Sequence, residues 1–313
     1  MRTRYSQTQF ICVVVTLHLP MILVKSRTEN KSFYEVLDYY MEMIRNLHKR
    51  TIEYLGGLKA GCNPVMYCEG GAYLGHLKPD DKIAPILKPC TVSFGITALN
   101  ELQELYNGKS IREDGTFALE VMDHINKLVD RYKKEDGILY AVYGTPAETL
   151  CGKQIEQFRK KYGIIKGVSD RAYTTNSFHD PVWLDITPVE KQDDEERFWN
   201  YFNGGKIQYC RYPVSYNLEA IKTLVRRAMD KGFYEGVNLS LSYCNTCGHQ
   251  ELEMDVCPVC GSKNITAINR MNGYLGFTRT GTTDGDKNFD SSPEKTGRFC
   301  KAKTIEVMER VSM

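Results

Sequence analysis

A chain of 313 residues with 42% apolar content is long enough for one large domain or two ordinary ones, and too rich in core-forming residues for a disordered tail. Its 41 basic and 39 acidic residues leave a formal charge of +2, which excludes long-range attraction to nucleic acid or anionic lipid, so any charged substrate must be handled locally. Eleven cysteines without an even, closely spaced framework fit a reducing compartment better than a secreted disulfide scaffold.

At the N-terminus, Met1-Arg2-Thr3-Arg4 followed by an apolar run over residues 10–24 imitates a secretory signal. His18 and Pro20 interrupt the run, no small-x-small cleavage site follows before Lys25, and the run is too short to span a bilayer. The expected location is therefore the cytoplasm, with no membrane contact. Five runs rich in Val, Ile, Tyr and Leu, at 9–17, 91–96, 137–144, 207–214 and 236–243, predict strands buried on both faces. The clearest helical pattern covers 32–55, where Phe33, Leu37, Tyr40, Ile44 and Leu47 recur at three- and four-residue spacing. Further helices are expected at 98–106, 116–134, 151–162, 191–202 and 217–231. This alternation predicts an α/β architecture with a largely parallel sheet or barrel, whose chemistry sits at the carboxyl ends of the strands.

Three of the connecting segments stand out. Residues 91–97, Thr-Val-Ser-Phe-Gly-Ile-Thr, end a strand and open a helix, which makes Ser93, Gly95 and Thr97 either a seat for phosphate oxygens or an ordinary helix cap. Glu148, after Pro146, reads as a first-turn helix acid or a site carboxylate. Residues 56–89 lack a clean period and read as a long ordered loop. A second polar loop holds His179, expected at the surface.

Near the C-terminus come two Cys-x-x-Cys pairs, Cys244/Cys247 and Cys257/Cys260, with nine residues between them. Each pair can form a knuckle, helped by Gly248 and Gly261, and together they offer four sulfurs to one tetrahedral zinc. Such a centre has no open position and serves to staple the chain, the other reading of the spacing being a redox pair. A nucleic-acid-binding ribbon is disfavoured because residues 248–255 are acidic. The other seven cysteines, Cys12, Cys62, Cys68, Cys90, Cys151, Cys210 and Cys300, read as small buried hydrophobes. Asn272-Gly273 alone reads as a type I′ hairpin turn.

The two Cys-x-x-Cys pairs just upstream of Arg270-Met271-Asn272-Gly273-Tyr274 resemble the C-terminal region of the anaerobic (class III) ribonucleoside-triphosphate reductases. Leu17-His18-Leu19-Pro20-Met21-Ile22, Tyr67-Cys68-Glu69-Gly70-Gly71, the segment from Ser93 to Glu101, Tyr143-Gly144-Thr145-Pro146-Ala147-Glu148 and the segment from Asn203 to Tyr209 are similar to family segments, in the same order. The resemblance implies the second half of a ten-stranded α/β barrel of the glycyl-radical enzyme type, over 10–240, and a zinc ribbon with a radical loop over 241–313. It implies anaerobic reduction of ribonucleoside triphosphates to deoxyribonucleotides for DNA synthesis. Gly273 would store the radical, Cys244, Cys247, Cys257 and Cys260 would hold zinc, and Ser93, Gly95 and Thr97 would lie near substrate phosphates. The implied partners are an activating enzyme using S-adenosylmethionine and an iron–sulfur cluster, and formate or a thioredoxin-type dithiol as reductant. Full-length members are expected to be homo-oligomers.

Family members are longer. The Gly-Cys-Arg run whose cysteine becomes the thiyl radical does not occur in this sequence, nor does a Gly-Arg-x-Asn stretch before the first strand. Residues 1–9 fall outside the resemblance, and the expectation is an N-terminally truncated chain. The alternative is a non-catalytic, zinc-bearing radical carrier or interaction module that complements an intact reductase.

Overall fold

The apolar run near the N-terminus divides at His18. In the computed structural model, which describes residues 11–70, 76–211, 217–238, 240–270, 275–281 and 300–310, strand β1 (Ile11–His18) passes directly into helix α1 (Leu19–Thr28). Pro20 lies in the first turn of α1, where a missing N–H costs no intrahelical bond. Among the described residues no helix is long and apolar enough to cross a membrane.

The chain folds as two compact units. The first contains residues up to 96 together with 119–144 and 201–205. Its sheet has the order β1-β2-β3, with β2 (Thr91–Thr97) parallel to β3 (Tyr140–Gly144) in the register Val92 opposite Tyr140 and Gly95 opposite Tyr143. From Val92 on, β2 is buried, as its apolar run predicts. β1, at the end of the sheet order, is half-exposed through most of its length, so burial on both faces does not extend to it.

Helix α2 (Phe33–Gly56) buries Phe33, Val36, Leu37, Met41, Ile44 and His48. The apolar face is therefore rotated from the expected one: Leu47 is exposed and His48 takes the inward position. His48 packs edge-on to Phe94, ring centroids 5.1 Å apart, and beside Tyr140 at 6.2 Å. The loop over 56–89 contains a 3-10 turn (Ala60–Cys62) and two short helices, α3 (Pro64–Tyr67) and α4 (Ala84–Leu87). Helix α6 (Thr116–Asp136), which follows α5 (Leu99–Asn107), ends on a partly buried ion pair. Asp136 accepts two 2.7 Å hydrogen bonds from Arg45 and one of 2.9 Å from the Tyr140 hydroxyl. The guanidinium holds the Asp136 carboxyl well below the usual range.

The segment Asn203-Gly204-Gly205 lies against β3. Asn203 Oδ1 accepts from Val142 N at 2.9 Å, Gly204 N donates to Val142 O at 2.8 Å, and Gly144 N donates to Gly205 O at 2.9 Å. A Cβ on Gly204 would stand 2.7 Å from Ala141 Cβ and 2.9 Å from Val142 O, closer than atoms pack. Gly205 has φ +144 and would drive a Cβ into the Tyr143 ring.

The second unit contains 97–118, 145–200 and the chain from 206 onward. α5 is preceded by Ala98 in a left-handed conformation, φ 64, whose own side chain makes no cap, and the first helical amide, Leu99 N, donates to Ser177 O at 3.1 Å. Helix α7 (Leu150–Tyr162) has no acid in its first turn: Glu148 falls before the N-cap residue Thr149, which corrects its expected place. Helix α8 (Pro188–Trp199) starts three residues earlier than its apolar pattern indicates. Thr187 and Glu190 form a reciprocal capping box, with Pro188 in the first turn. Asn217 caps helix α9 (Leu218–Asp230) by accepting from Ala220 N at 3.0 Å.

The expected strand over 236–243 is two strands in two sheets. β5 (Glu235–Asn238) pairs parallel with β4 (Gln208–Arg211). β6 (Leu241–Cys244) enters an antiparallel sheet of order β7-β6-β8-β9, with β7 (Gln250–Leu252), β8 (Ile265–Arg270) and β9 (Leu275–Arg279). β6 alternates exposed and buried residues, as a strand with one solvated face does. The last helix, α10 (Lys301–Met308), was not anticipated.

Two outcomes follow. Gly204→Ala forces β3 away from its neighbour and should lower the urea midpoint by an amount equivalent to about 1–3 kcal/mol, the usual cost of overpacking. Burial lowers the His48 pKa from 6.5 to about 4 against a weaker upward pull from the Ser93 backbone, so the unfolded chain takes a proton before the folded one. Stability from this group is complete above pH 6.5 and falls as pH drops to about 4, by about 3 kcal/mol in all. His18, lowered to about 3 by burial, adds a slope of the same sign. His48→Phe should flatten the stability curve between those limits relative to the parent chain, read from urea midpoints across the pH range.

Candidate metal centre

The two Cys-x-x-Cys pairs fold into matching knuckles. Cys244 ends β6, Gly248 N donates back to Cys244 O at 2.9 Å, and Cys244 N donates to His249 O at 2.8 Å. In the second, Gly261 N donates to Cys257 O at 2.9 Å and Cys257 N donates to Ser262 O at 2.9 Å. Both glycines are left-handed, φ 78 and 72, the conformation that lets the chain turn back after the second cysteine of each pair. Thr246 and Ser262 hydroxyls meet at 2.8 Å and Asn245 Nδ2 donates to Thr266 Oγ1 at 2.9 Å, tying the knuckles to each other and to β8.

These bonds bring the four sulfurs together. Cys244 Sγ is 3.6 Å from Cys260 Sγ and Cys247 Sγ is 3.5 Å from Cys257 Sγ, and all four lie within 4.8 Å of one another. A disulfide needs about 2.05 Å, so these are free thiols. A tetrahedron of sulfurs about 2.3 Å from a zinc has edges of about 3.8 Å, so the cluster fits a metal such as zinc. Cys244 and Cys257 are buried with Met254 and Ile265 beneath the centre, while Cys247 and Cys260 face solvent.

The thiols do not titrate alike. Burial pushes Cys244 up, but the amides of Cys247 and Thr246 and the thiols of Cys260 and Cys247 outweigh it and bring the group down to about 6. The Ser262 amide favours the thiolate of Cys260, yet burial and the three neighbouring sulfurs hold it up at about 12. Among the described residues no other group of three or more His, Cys, Asp or Glu side chains is placed to hold a metal.

From this centre β8 runs to Arg270, which pairs with Leu275 of β9. Gly273 falls between those strands, in 271–274, outside the described residues. Ser93, Gly95 and Thr97 share one face of β2, opposite Phe94. Ser93 is fully buried, and its hydroxyl has no hydrogen-bond partner among the described residues. Thr97 is fully buried and bonded to Gln154, Nε2 to Oγ1 at 3.0 Å.

The burial of the second polar loop was not legible in the sequence. His179 is 5% exposed, not at the surface, and its Nδ1 lies 3.0 Å from Glu195 Oε2. Glu195 Oε1 also accepts from Asp180 N at 2.9 Å and from Lys191. Burial, then the Glu195 charge, push Asp180 up to about 7, and burial raises Glu101 to about 7 against hydrogen bonds from Thr175. The only sequence signal was a polar run, 174–180, with neither strand nor helix period.

The family model described as anaerobic ribonucleoside-triphosphate reductase matches residues 4–285. The chain belongs to that family. The match opens at residue 4, inside the stretch that the motifs left unmatched. The anaerobic ribonucleoside-triphosphate reductase of Haemophilus influenzae is 33% identical over 278 residues, 84% of this chain and 39% of that protein. The enzyme of the same name from Enterobacteria phage T4 is 32% identical over 313 residues, 95% of this chain and 48% of that protein. The chain thus spans less than half the length of these reductases. A solved anaerobic ribonucleotide reductase shares its fold with a TM-score of 0.67 at 19% identity, over 96% of this chain and 44% of the other. The Thermotoga maritima enzyme, solved with dATP in its specificity site, aligns at 0.63 and 20% identity, over 84% and 43%.

If the four thiols hold one metal, the purified chain should release one equivalent of zinc to a chelating dye. Cys257→Ser, at a buried ligand, should weaken retention by more than about a hundredfold, beyond the cost of losing an outer hydrogen-bond partner.

Proposed function

We propose that this chain is the radical-storing and metal-bearing part of an anaerobic ribonucleotide reductase that converts ribonucleoside triphosphates to deoxyribonucleoside triphosphates. The observation that carries the reading is the four-cysteine cluster at the base of the antiparallel sheet whose β8 and β9 flank residues 271–274, in a chain of this family. Cys244, Cys247, Cys257 and Cys260 hold zinc. With four sulfurs the metal has no open position, so it supplies no chemistry and fixes the base of the loop.

Gly273 stores the radical. An unpaired electron on its α-carbon is shared with the flanking amide nitrogen and carbonyl, and without a side chain the centre flattens most easily. The radical is installed by an activating enzyme that carries S-adenosylmethionine and an iron–sulfur cluster, and formate or a thioredoxin-type dithiol supplies electrons. The parallel pairs β2–β3 and β4–β5 belong, in this reading, to half of a ten-stranded barrel, and Ser93, Gly95 and Thr97 lie near the substrate phosphates. The free Ser93 hydroxyl is consistent with that role.

A second reading rests on the same four-cysteine cluster beside residues 271–274. On that reading the chain is a non-catalytic module that stores the radical and complements an intact reductase. The zinc-loaded chain, incubated with activase, S-adenosylmethionine and reductant under strict anaerobiosis, should give a glycyl doublet by electron paramagnetic resonance, abolished in Gly273→Ala. Deoxynucleotide formed by this chain alone supports the enzyme; a doublet without product supports the module; a doublet that survives in Gly273→Ala defeats both.

A further inference from the structure

Two thiols that the metal centre does not use converge on one oxygen. Cys151 Sγ lies 3.5 Å and Cys300 Sγ 3.4 Å from the carbonyl oxygen of Glu148, each placed to donate its S–H. The sulfurs can therefore be no farther apart than those two contacts laid end to end. Cys151 is in the first turn of α7 and Cys300 immediately precedes α10.

The two helices approach without room for a methyl group. A Cβ on Gly152 would stand 2.5 Å from Ala302 Cβ and 3.9 Å from Cys300 Sγ. Such closeness is what a disulfide demands, since it joins Cα atoms about 4.4–6.8 Å apart. α10 is also held by polar contacts: fully buried Lys303 donates to Asn176 Oδ1 at 3.1 Å, and partly exposed Glu309, the residue after the helix, accepts from Arg171 at 2.9 Å. An apolar cleft of about 490 Å³, lined by Gly152, Ile155, Ala172, Ala302 and Ile305, opens beside Cys300. Cys300 is partly exposed there, while Cys151 is fully buried.

We propose that Cys151 and Cys300 form a redox-active pair that closes to a disulfide by exchange with a small organic disulfide, tying α10 to α7. The Cys300 thiolate, reached through the cleft, attacks one sulfur of the incoming disulfide. Its S–S bond breaks, a thiolate leaves, and Cys300 carries a mixed disulfide. Cys151 then attacks the Cys300 sulfur and the second thiolate leaves. The two protein thiols are oxidised, one external disulfide is reduced to two thiols, and the two protons released pass to the departing thiolates. Burial pushes the Cys151 thiol up to about 11, with Lys303 opposing, so the second step is the slow one and speeds up as pH rises.

The test treats the zinc-loaded chain with oxidised glutathione, alkylates the remaining thiols, and maps the peptides by mass. The expected result is a linked pair of peptides containing Cys151 and Cys300, separated by dithiothreitol and forming faster at pH 9 than at pH 7. Cys151→Ser should leave Cys300 as its glutathione adduct, and Cys300→Ser should leave Cys151 reduced. Exposed Cys62 serves as the accessible control. Glutathione on Cys62 with Cys151 recovered reduced, or Cys151 joined to any cysteine but Cys300, overturns the proposal. The readout is a mass, independent of any radical signal.

Discussion

Four sulfur atoms within 4.8 Å of one another cannot all be charged unless a cation sits among them. Two unit charges about 4 Å apart repel by about 4 kcal/mol at an effective dielectric near 20, and four thiolates make six such pairs. The split between Cys244, drawn down to about 6, and Cys260, held up at about 12, expresses that conflict in protonation. A divalent metal removes it by replacing repulsion between sulfurs with attraction to a shared centre. The knuckle hydrogen bonds, the Asn245–Thr266 contact and the start of β8 opposite Cys244 all radiate from this point, so the antiparallel sheet is ordered around a centre that metal binding would complete.

The first unit rests on a different constraint, the need for small side chains on one face of a buried strand. On β2, Phe94 faces a layer of Tyr132, Tyr140 and His48, where volume and ring contacts fill the core. Its other face carries Ser93 and Gly95, paired with Ala141 and Tyr143 of β3, and Gly204 lies against Ala141 with no space for a methyl. One face packs by bulk and the other by close backbone approach. The second arrangement leaves a buried hydroxyl, Ser93, in a position that costs stability unless something outside the described protein groups satisfies it.

The sequence was most legible where one local rule governed. Unbroken apolar runs located β1 to β4, and three- and four-residue periodicity located α2, α6, α7 and α9 to within a few residues. The Cys-x-x-Cys spacing located the cluster, because a knuckle is a local object. Legibility failed where tertiary contacts decided. Nothing in the run 236–243 says that the chain leaves a parallel pair for an antiparallel sheet, since both states favour the same residues. His48 displaced Leu47 from the buried face because Phe94 and Tyr140 offered an aromatic partner. The expectation that the spare cysteines are small buried hydrophobes held for Cys90 and Cys151, whereas Cys62 is exposed and Cys12, Cys68 and Cys300 are partly so; the Cys210 side chain lies outside the described residues.

Glycine shows why residue type alone does not reveal a role. Gly248 has φ 78 and open space around its α-carbon, so its requirement is conformational, and an asparagine, which tolerates the left-handed region, would strain it less than an alanine. Gly204 is required for space, and there alanine and asparagine would fail alike because Ala141 and Val142 already occupy the volume. At Gly273 the proposed requirement is neither torsion nor volume but the stability of a planar, delocalised carbon centre, which any β-carbon opposes. The three cases differ in what a substitution damages: a backbone torsion, a packing contact, or an electronic state. Only the last leaves a folded, metal-loaded chain with no radical, and that combination separates a glycine chosen for its chemistry from one chosen for its shape.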